Sequence, residues 1–144
     1  MRKPLVPIDG SASATRALAH ALAELRGQAG AEVHLLNVQS PPLHPFPGKL
    51  VSPDLINQEL RREGHAMLDQ AEASVSGTPI ADVRHVRHVR IGRPADEIAA
   101  CAAEQGCDAI VMGTRGMGTV AGLLLGSVAT KVVHVTQLPV TLVK

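Results

Sequence analysis

The sequence predicts an α/β fold: one doubly wound, open parallel sheet with helices on both of its faces. Short apolar runs rich in β-branched residues alternate with segments whose apolar residues recur every three or four positions. Such alternation builds parallel βαβ units with right-handed crossovers. After Asp108, the apolar run 109–112 is typical of a strand buried on both faces. The chain has 144 residues, the length of one domain, so we expect residues 1–144 to form a single domain.

These patterns give five strands and four helices. The predicted strands cover residues 3–8, 31–38, 80–91, 108–112 and 140–143. The predicted helices begin near residues 11, 52, 92 and 127. The second helix has the clearest start, because a serine N-cap, a proline and an acid agree at Ser52-Pro53-Asp54, and it should run to about Val75. The proline-rich segment 40–48 before it should be a loop.

The third predicted strand is the least regular of the five. Its valines recur at every third position, which matches neither the strand period nor the helix period. Its β-branched content and its place in the alternation favour a strand. Three arginines, Arg84, Arg87 and Arg90, indicate an edge position, because charged side chains discourage further pairing of an exposed strand.

Composition excludes several classes of function. The chain has 14 basic and 13 acidic residues and a net charge of +1, so nucleic acid is not an expected partner. No window approaches the ~20 apolar residues of a membrane helix, and no signal peptide is apparent, so we expect a cytoplasmic protein without a membrane partner. Phe46 is the only residue among Phe, Trp and Tyr. A nucleobase would therefore bind among aliphatic side chains and backbone amides.

Neither the cysteines nor the histidines form a metal-binding pattern. Cys101 and Cys107 lack the spacing of a zinc or redox site, and we expect them to be buried or incidental thiols. Two histidines alternate with arginines in the third predicted strand, His85 and His88, and four others are scattered among different elements: His20, His34, His65 and His134. We therefore expect no metal site built from protein ligands. The expected metal is instead Mg²⁺, carried in by a triphosphate and bound through its oxygens.

A glycine-rich segment after the fourth strand carries the strongest functional signal. Gly113 and Gly116 lack Cβ atoms, so their backbone can approach a phosphate or ribose closely and adopt positive φ. Gly126 and Ser127 open a helix whose free amides and dipole favour an anion. Taken alone, the segment fits a long turn and a phosphate site equally well. It is neither a Walker A sequence nor a dinucleotide fingerprint, because it lacks Gly-Lys-Ser/Thr and does not follow the first strand.

The spacing Gly113-x2-Gly116-x9-Gly126-Ser127 resembles the nucleotide-binding signature of the universal stress protein family. The resemblance covers nearly the whole chain, including the opening Val6-Pro7-Ile8-Asp9-Gly10-Ser11 and the closing residues 138–143. It implies a five-stranded sheet of order 3-2-1-4-5 with ATP at the switch point between strands one and four. It also implies homodimers that pair through the last strand, Val140 to Val143.

By position, the resemblance implies roles for individual residues. Those expected beside the adenine and the ribose are Pro7, Asp9, Val38, Met112 and Gly113. Those expected to hold phosphates are Gly116, Gly126, Ser127 and Val128. The expected function is an ATP-binding, nucleotide-dependent stress-response module and not an enzyme, because the segment shows no general base and no Walker B acid. A slow nucleotide hydrolase or phosphotransferase in the same pocket, and a nucleotide-free structural dimer, are the alternatives.

Three charged residues keep two interpretations at this stage. Asp9 follows a strand and could accept hydrogen bonds from a ribose or adenine, or it could cap the helix that begins near Ser11. Arg115 and Lys131 could neutralise phosphates, or they could be solvated surface charges.

Overall fold

The computed structural model describes residues 1–42, 51–77, 83–117 and 125–144. Its strands are β1 Pro4–Pro7, β2 Glu32–Gln39, β3 Arg84–Ile91, β4 Ala109–Gly113 and β5 Val140–Val143. Its helices are α1 Ala12–Leu25, α2 Pro53–Val75, α3 Pro94–Glu104 and α4 Ser127–Val135. All strand pairs are parallel and the sheet order is β3-β2-β1-β4-β5. The predicted fold class and strand order are therefore confirmed.

Helices cover both faces of the sheet because neighbouring residues of a strand point to opposite sides. In β1, Val6 packs into a core shared with α1 and α2, and Leu5 packs into a second core shared with α3 and α4. Both side chains are fully buried. The sheet is thus the middle layer between two apolar cores.

Local sequence signals start the helices where they were predicted. The Ser11 hydroxyl accepts a hydrogen bond from the amide of Ala14 at 3.2 Å and caps α1. The Ser52 hydroxyl does the same for α2 through the amide of Asp54 at 3.3 Å. α2 ends at Val75 as predicted. The ends of β1, β2 and β4 differ from the predicted ones by one residue, because strand ends lack such side-chain caps, and those of β5 agree.

β3 is an edge strand, as its arginines indicated. The Arg87 guanidinium contacts Asp69 of α2 at 2.6 Å, and that of Arg90 contacts Glu97 of α3 at 3.4 Å. These pairs tie the edge to the helix on each face. β3 begins at Arg84; the predicted residues 80–82 lie outside the described residues, as does most of the loop predicted at 40–48.

β1 is the position in the sheet where strand order reverses. It pairs with β2 on one side and with β4 on the other, so the chain leaves the carboxyl ends of β1 and β4 in opposite directions. Ligands of open α/β sheets bind in the crevice that this reversal creates. None of the described helices is long and apolar enough to cross a membrane.

Candidate functional site

A cavity of about 370 Å³ opens at the carboxyl ends of β1 and β4. Five parts of the chain build it: the turn between β1 and α1, the ends of β2 and β4, the start of α3 and the N-terminus of α4. The nine residues predicted for the site all line it: Pro7, Asp9, Val38, Met112, Gly113, Gly116, Gly126, Ser127 and Val128. The structure therefore brings together residues up to 121 positions apart in the sequence.

One side of the cavity is apolar. Leu36 and Val38 lie on the same face of β2, Ile98 comes from α3 and Met112 from β4. Sequence reasoning missed Leu36 and Ile98. Leu36 could have been found, since it stands two residues before Val38 in a strand and therefore shares its face. Ile98 could not, because its place depends on how α3 packs.

The other side of the cavity is the N-terminus of α4. Gly126 is the N-cap and has no side-chain hydrogen bond, and its amide donates to the carbonyl of Thr114 at 2.7 Å. The first helical backbone bond runs from the amide of Thr130 to the carbonyl of Gly126 at 3.0 Å. The amides of Ser127, Val128 and Ala129 therefore have no acceptor within the helix. Such an end attracts anions.

The glycines of this segment are used differently from the prediction. Neither Gly113 nor Gly116 has positive φ, so that expectation is wrong. Close packing explains Gly113, whereas the one near atom at Gly116 is the end of the flexible Asp9 side chain. A Cβ on Gly113 would lie 2.8 Å from Cβ of Ser13, and one on Gly116 would lie 2.9 Å from Oδ2 of Asp9. At Gly126 the nearest atom would be the Thr114 carbonyl oxygen at 3.4 Å, an ordinary contact.

Asp9 stabilises the turn before α1. Its Oδ1 accepts a hydrogen bond from the amide of Ser11 at 2.9 Å. This is a turn hydrogen bond and not the predicted helix cap, because the N-cap of α1 is Ser11. Its Oδ2 lies beside Gly116, 2.9 Å from where a Cβ on that residue would stand. The carboxylate is exposed, and its second oxygen can still meet a ligand.

Asp9 and Arg115 are the charged side chains among the described residues that line the cavity. Arg115 is exposed and forms no ion pair within the described ranges. Lys131, the other predicted counter-charge, is bound to Asp96 at 2.9 Å and does not line the cavity. Within the described lining, Arg115 is thus the cation available to a phosphate.

The thiols lie outside this site. Cys101 and Cys107 are both buried and unpaired, as expected. Burial raises the pKa of the Cys101 thiol and raises that of the Cys107 thiol to about 11. Both are therefore protonated and unreactive at neutral pH. Over the described ranges, no cluster of three or more His, Cys, Asp or Glu side chains could hold a metal ion.

The sequence model of the universal stress protein family matches residues 1–144. The chain belongs to the universal stress protein family. A universal stress protein of Thermus aquaticus is 38% identical to it over 141 residues, which cover 97% of this chain and 96% of the relative. The glycine spacing that suggested the family thus belongs to a likeness that runs through the whole sequence.

Two solved universal stress protein structures share the fold and were determined with bound nucleotides. One, in complex with cAMP, has 25% identity and a TM-score of 0.70, and the match covers 99% of this chain and 97% of that one. The other, from Archaeoglobus fulgidus in complex with dAMP, has 25% identity and a TM-score of 0.64, with 100% and 98% covered. Both bound molecules are adenine nucleotides.

Proposed function

We propose that this universal stress protein binds ATP in the cavity between β1 and β4 and acts as a nucleotide-dependent regulatory module of the stress response. The observation that carries the proposal is the convergence of nine predicted residues on one cavity at the switch point of the sheet. A cavity of about 370 Å³ is in the size range of small-molecule sites.

The apolar side of the cavity suits the adenine. Pro7, Val38 and Met112 were predicted beside the base and ribose, and Leu36 and Ile98 extend the same wall. Aliphatic side chains can sandwich a purine ring when aromatic residues are absent. Asp9, with one carboxylate oxygen left for a ligand, can accept a hydrogen bond from the ribose or the adenine amine.

The opposite side suits the phosphates. The amide of Gly116 has no hydrogen-bond partner within the described parts of the chain, and the first amides of α4 have none within the helix. These donors and the Arg115 guanidinium offset the negative charge of a triphosphate. Mg²⁺ would bind mainly through the phosphate oxygens and water.

The complexes of two relatives support the choice of an adenine nucleotide. One is described with cAMP and the other with dAMP, so the base is the part that the two ligands share. We choose ATP over the monophosphates because the cavity continues from the apolar wall to the amides of α4.

We further propose that the protein binds ATP without hydrolysing it efficiently. Among the described lining residues the one carboxylate is Asp9, which accepts from Ser11 through Oδ1 and is proposed to bind the ribose or the adenine amine through Oδ2. No histidine or lysine lines the described cavity. A general base for water is therefore missing from that part of the site. Steady phosphate release faster than about one per minute would instead support the hydrolase alternative.

The regulatory output would be a change in the surface at the cavity mouth. Met117 borders the cavity and is 73% exposed, next to exposed Arg115 and Gly116. A bound triphosphate would cover this surface and alter its charge. We also propose a cytoplasmic homodimer that pairs through β5, and the unpaired thiols suit a reducing compartment.

Calorimetric titration of ATP with Mg²⁺ tests the binding proposal. We expect micromolar binding to the wild type, and a loss of at least about a hundredfold in Gly116→Arg, because its side chain would fill the space opposite Asp9. Gln58→Arg is the control, since it adds the same side chain on an exposed position of α2. The protein has no Trp or Tyr, so its ultraviolet spectrum reveals any adenine that co-purifies. Absence of binding in nucleotide-free wild type would contradict the proposal.

A further inference from the structure

We propose that Ser13 is a positioning residue of the nucleotide site, acting through the peptide bond between Arg115 and Gly116; this inference rests on the proposed function. Ser13 lies in the first turn of α1, is 6% exposed and does not line the cavity. It therefore cannot touch a ligand there directly. Its hydroxyl instead donates a hydrogen bond to the carbonyl of Arg115.

Ser13 is the main holder of this carbonyl. Ser11 lies nearby, with its hydroxyl oxygen 3.4 Å from the Arg115 carbonyl oxygen and 3.2 Å from Oγ of Ser13. As the cap of α1 the Ser11 oxygen accepts from Ala14, which leaves its proton able to donate, but its distance to the Arg115 carbonyl is long for a hydroxyl donor. The Ser13 hydroxyl thus supplies the stronger bond.

A bond to the Arg115 carbonyl also orients the amide of Gly116. The peptide group is planar and trans, so its C=O and N–H point in opposite directions. With the carbonyl held against α1, the amide of the same peptide is directed away from α1. The Gly116 nitrogen lies on the α4 side, 3.7 Å from where a Cβ on Gly126 would stand. Ser13 thus keeps this donor turned toward the proposed phosphate side.

The preceding peptide group, between Thr114 and Arg115, is held by α4. The amide of Gly126, at the start of α4, donates to the carbonyl of Thr114 at 2.7 Å. Two successive carbonyls are therefore fixed by two different helices: Thr114 by α4 and Arg115 by α1. The backbone that offers the Gly116 amide is pre-organised by both contacts, which lowers the cost of ordering it when a ligand binds.

Gly113 makes the approach of Ser13 possible. A Cβ on Gly113 would stand 2.8 Å from Cβ and 2.9 Å from the carbonyl carbon of Ser13. Any side chain at this position would push the first turn of α1 away from β4. The first glycine of the signature therefore serves the contact between Ser13 and the phosphate side.

Comparison of ATP with adenosine separates this role from a purely structural one. Adenosine lacks phosphates, so it should not sense the orientation of the Gly116 amide. We expect Ser13→Ala to weaken ATP binding about tenfold and to change adenosine binding less than about twofold, as measured by calorimetry. Ser13→Thr keeps the hydroxyl and should restore most of the ATP affinity. Thr15→Ala is the control, because its hydroxyl bonds within α1 to the carbonyl of Ser11.

The outcomes are distinguishable from failure of the proposed function. Equal weakening of ATP and adenosine in Ser13→Ala, or no weakening of either, would overturn the role of Ser13 while leaving the nucleotide site in place. Wild-type protein that binds neither molecule would overturn the proposed function, and this inference with it. Ser13→Cys keeps the size of the side chain with a weak donor, so it should show the same selective loss if Ser13→Ala does not fold.

Discussion

His34 of β2 and His88 of β3 lie side by side and share a hydrogen bond, with His34 Nδ1 2.9 Å from His88 Nε2. Their ring planes differ by 13° and their centroids are 5.1 Å apart. A centroid separation so much longer than the nitrogen distance places the rings edge to edge in nearly one plane. His34 Nε2 is also 3.1 Å from Oε1 of Glu32. The three side chains Glu32, His34 and His88 therefore form a hydrogen-bond network, called here the Glu32 network.

The Glu32 network has one consistent arrangement of hydrogen atoms when both histidines are neutral. The Glu32 carboxylate accepts, so His34 Nε2 carries hydrogen and its Nδ1 accepts from His88 Nε2. Burial, His34 and Arg90 lower the pKa of His88. The hydrogen bond from Lys3, and then that from His34, lower the pKa of Glu32 to about 2. The first shift favours a neutral His88 and the second favours an ionised Glu32 carboxylate at neutral pH.

We predict that acid destabilises the protein by protonating the Glu32 network. Because the pKa of His88 is below 6.5 in the folded state, the unfolded state binds protons first, and stability falls as the pH drops through the range just below about 6.5. Glu32 adds a second loss as the pH drops from 4.5 towards about 2. Urea unfolding across these ranges should show a shallower first decrease in His88→Asn than in wild type. His20→Asn, at an exposed position of α1, should leave the pH profile unchanged. If stability depends on pH in the same way in His88→Asn and in wild type, His88 is not the group that causes the first decrease.

We predict that Glu32→Gln lowers the free energy of unfolding by about 1–2 kcal/mol at neutral pH. The substitution weakens the ion pair with Lys3 at 2.8 Å and removes the charged acceptor of buried His34. Chemical denaturation of the variant would measure the loss. Glu59→Gln is the matched control, since Glu59 pairs with Arg62 on an exposed part of α2. Equal stability of the two variants would show that the Glu32 network contributes no more to the free energy of unfolding than an exposed ion pair does.

The sequence predicted features that depend on neighbouring residues and missed those that depend on distant ones. The serine caps at Ser11 and Ser52 were correct because a cap and the amide it binds are within three residues. The pair of His34 and His88 was missed because these residues are 54 positions apart and meet only after β2 and β3 align. Each histidine alone looked like part of a scattered set.

Gly113 shows the same limit within the candidate site. Its place in the signature was correct, but positive φ was the wrong explanation, because the constraint is the approach of Ser13 from α1. The spacing of glycines indicates that the backbone at these positions approaches another group closely. The spacing does not indicate whether that group belongs to a ligand or to another helix.

We predict that Gly113→Ala destabilises the fold more than Gly126→Ala. The added methyl group at Gly113 would stand under 3 Å from Ser13 atoms, so α1 must shift, at a cost of about 1–3 kcal/mol. At Gly126 the nearest atom is 3.4 Å away, so that variant should lose only the preference of a helix N-cap for glycine over alanine. Urea unfolding of both variants makes the comparison. Equal losses would mean that the approach of Ser13 does not limit residue 113.

We predict that the amides and carbonyls of Val140 and Leu142 form the dimer edge. The carbonyl of Pro139 accepts from Ile110 of β4 and that of Val143 accepts from Thr114, which follows β4, at 2.9 Å each. Backbone groups alternate in direction along a strand, so those of Val140 and Leu142 face the free side of β5. Leu142→Pro removes one outward amide and should convert the dimer to a monomer in sedimentation velocity experiments.

Leu142→Ala is the matched control for this variant. It also removes the packing of Leu142 against the core shared with α3 and α4, but it keeps the backbone amide. It should therefore remain dimeric while losing some stability. If both variants remain dimeric, the dimer interface does not lie at the β5 edge. A wild type that is monomeric at micromolar concentrations would instead show that the edge stays unpaired and would overturn the dimer proposal.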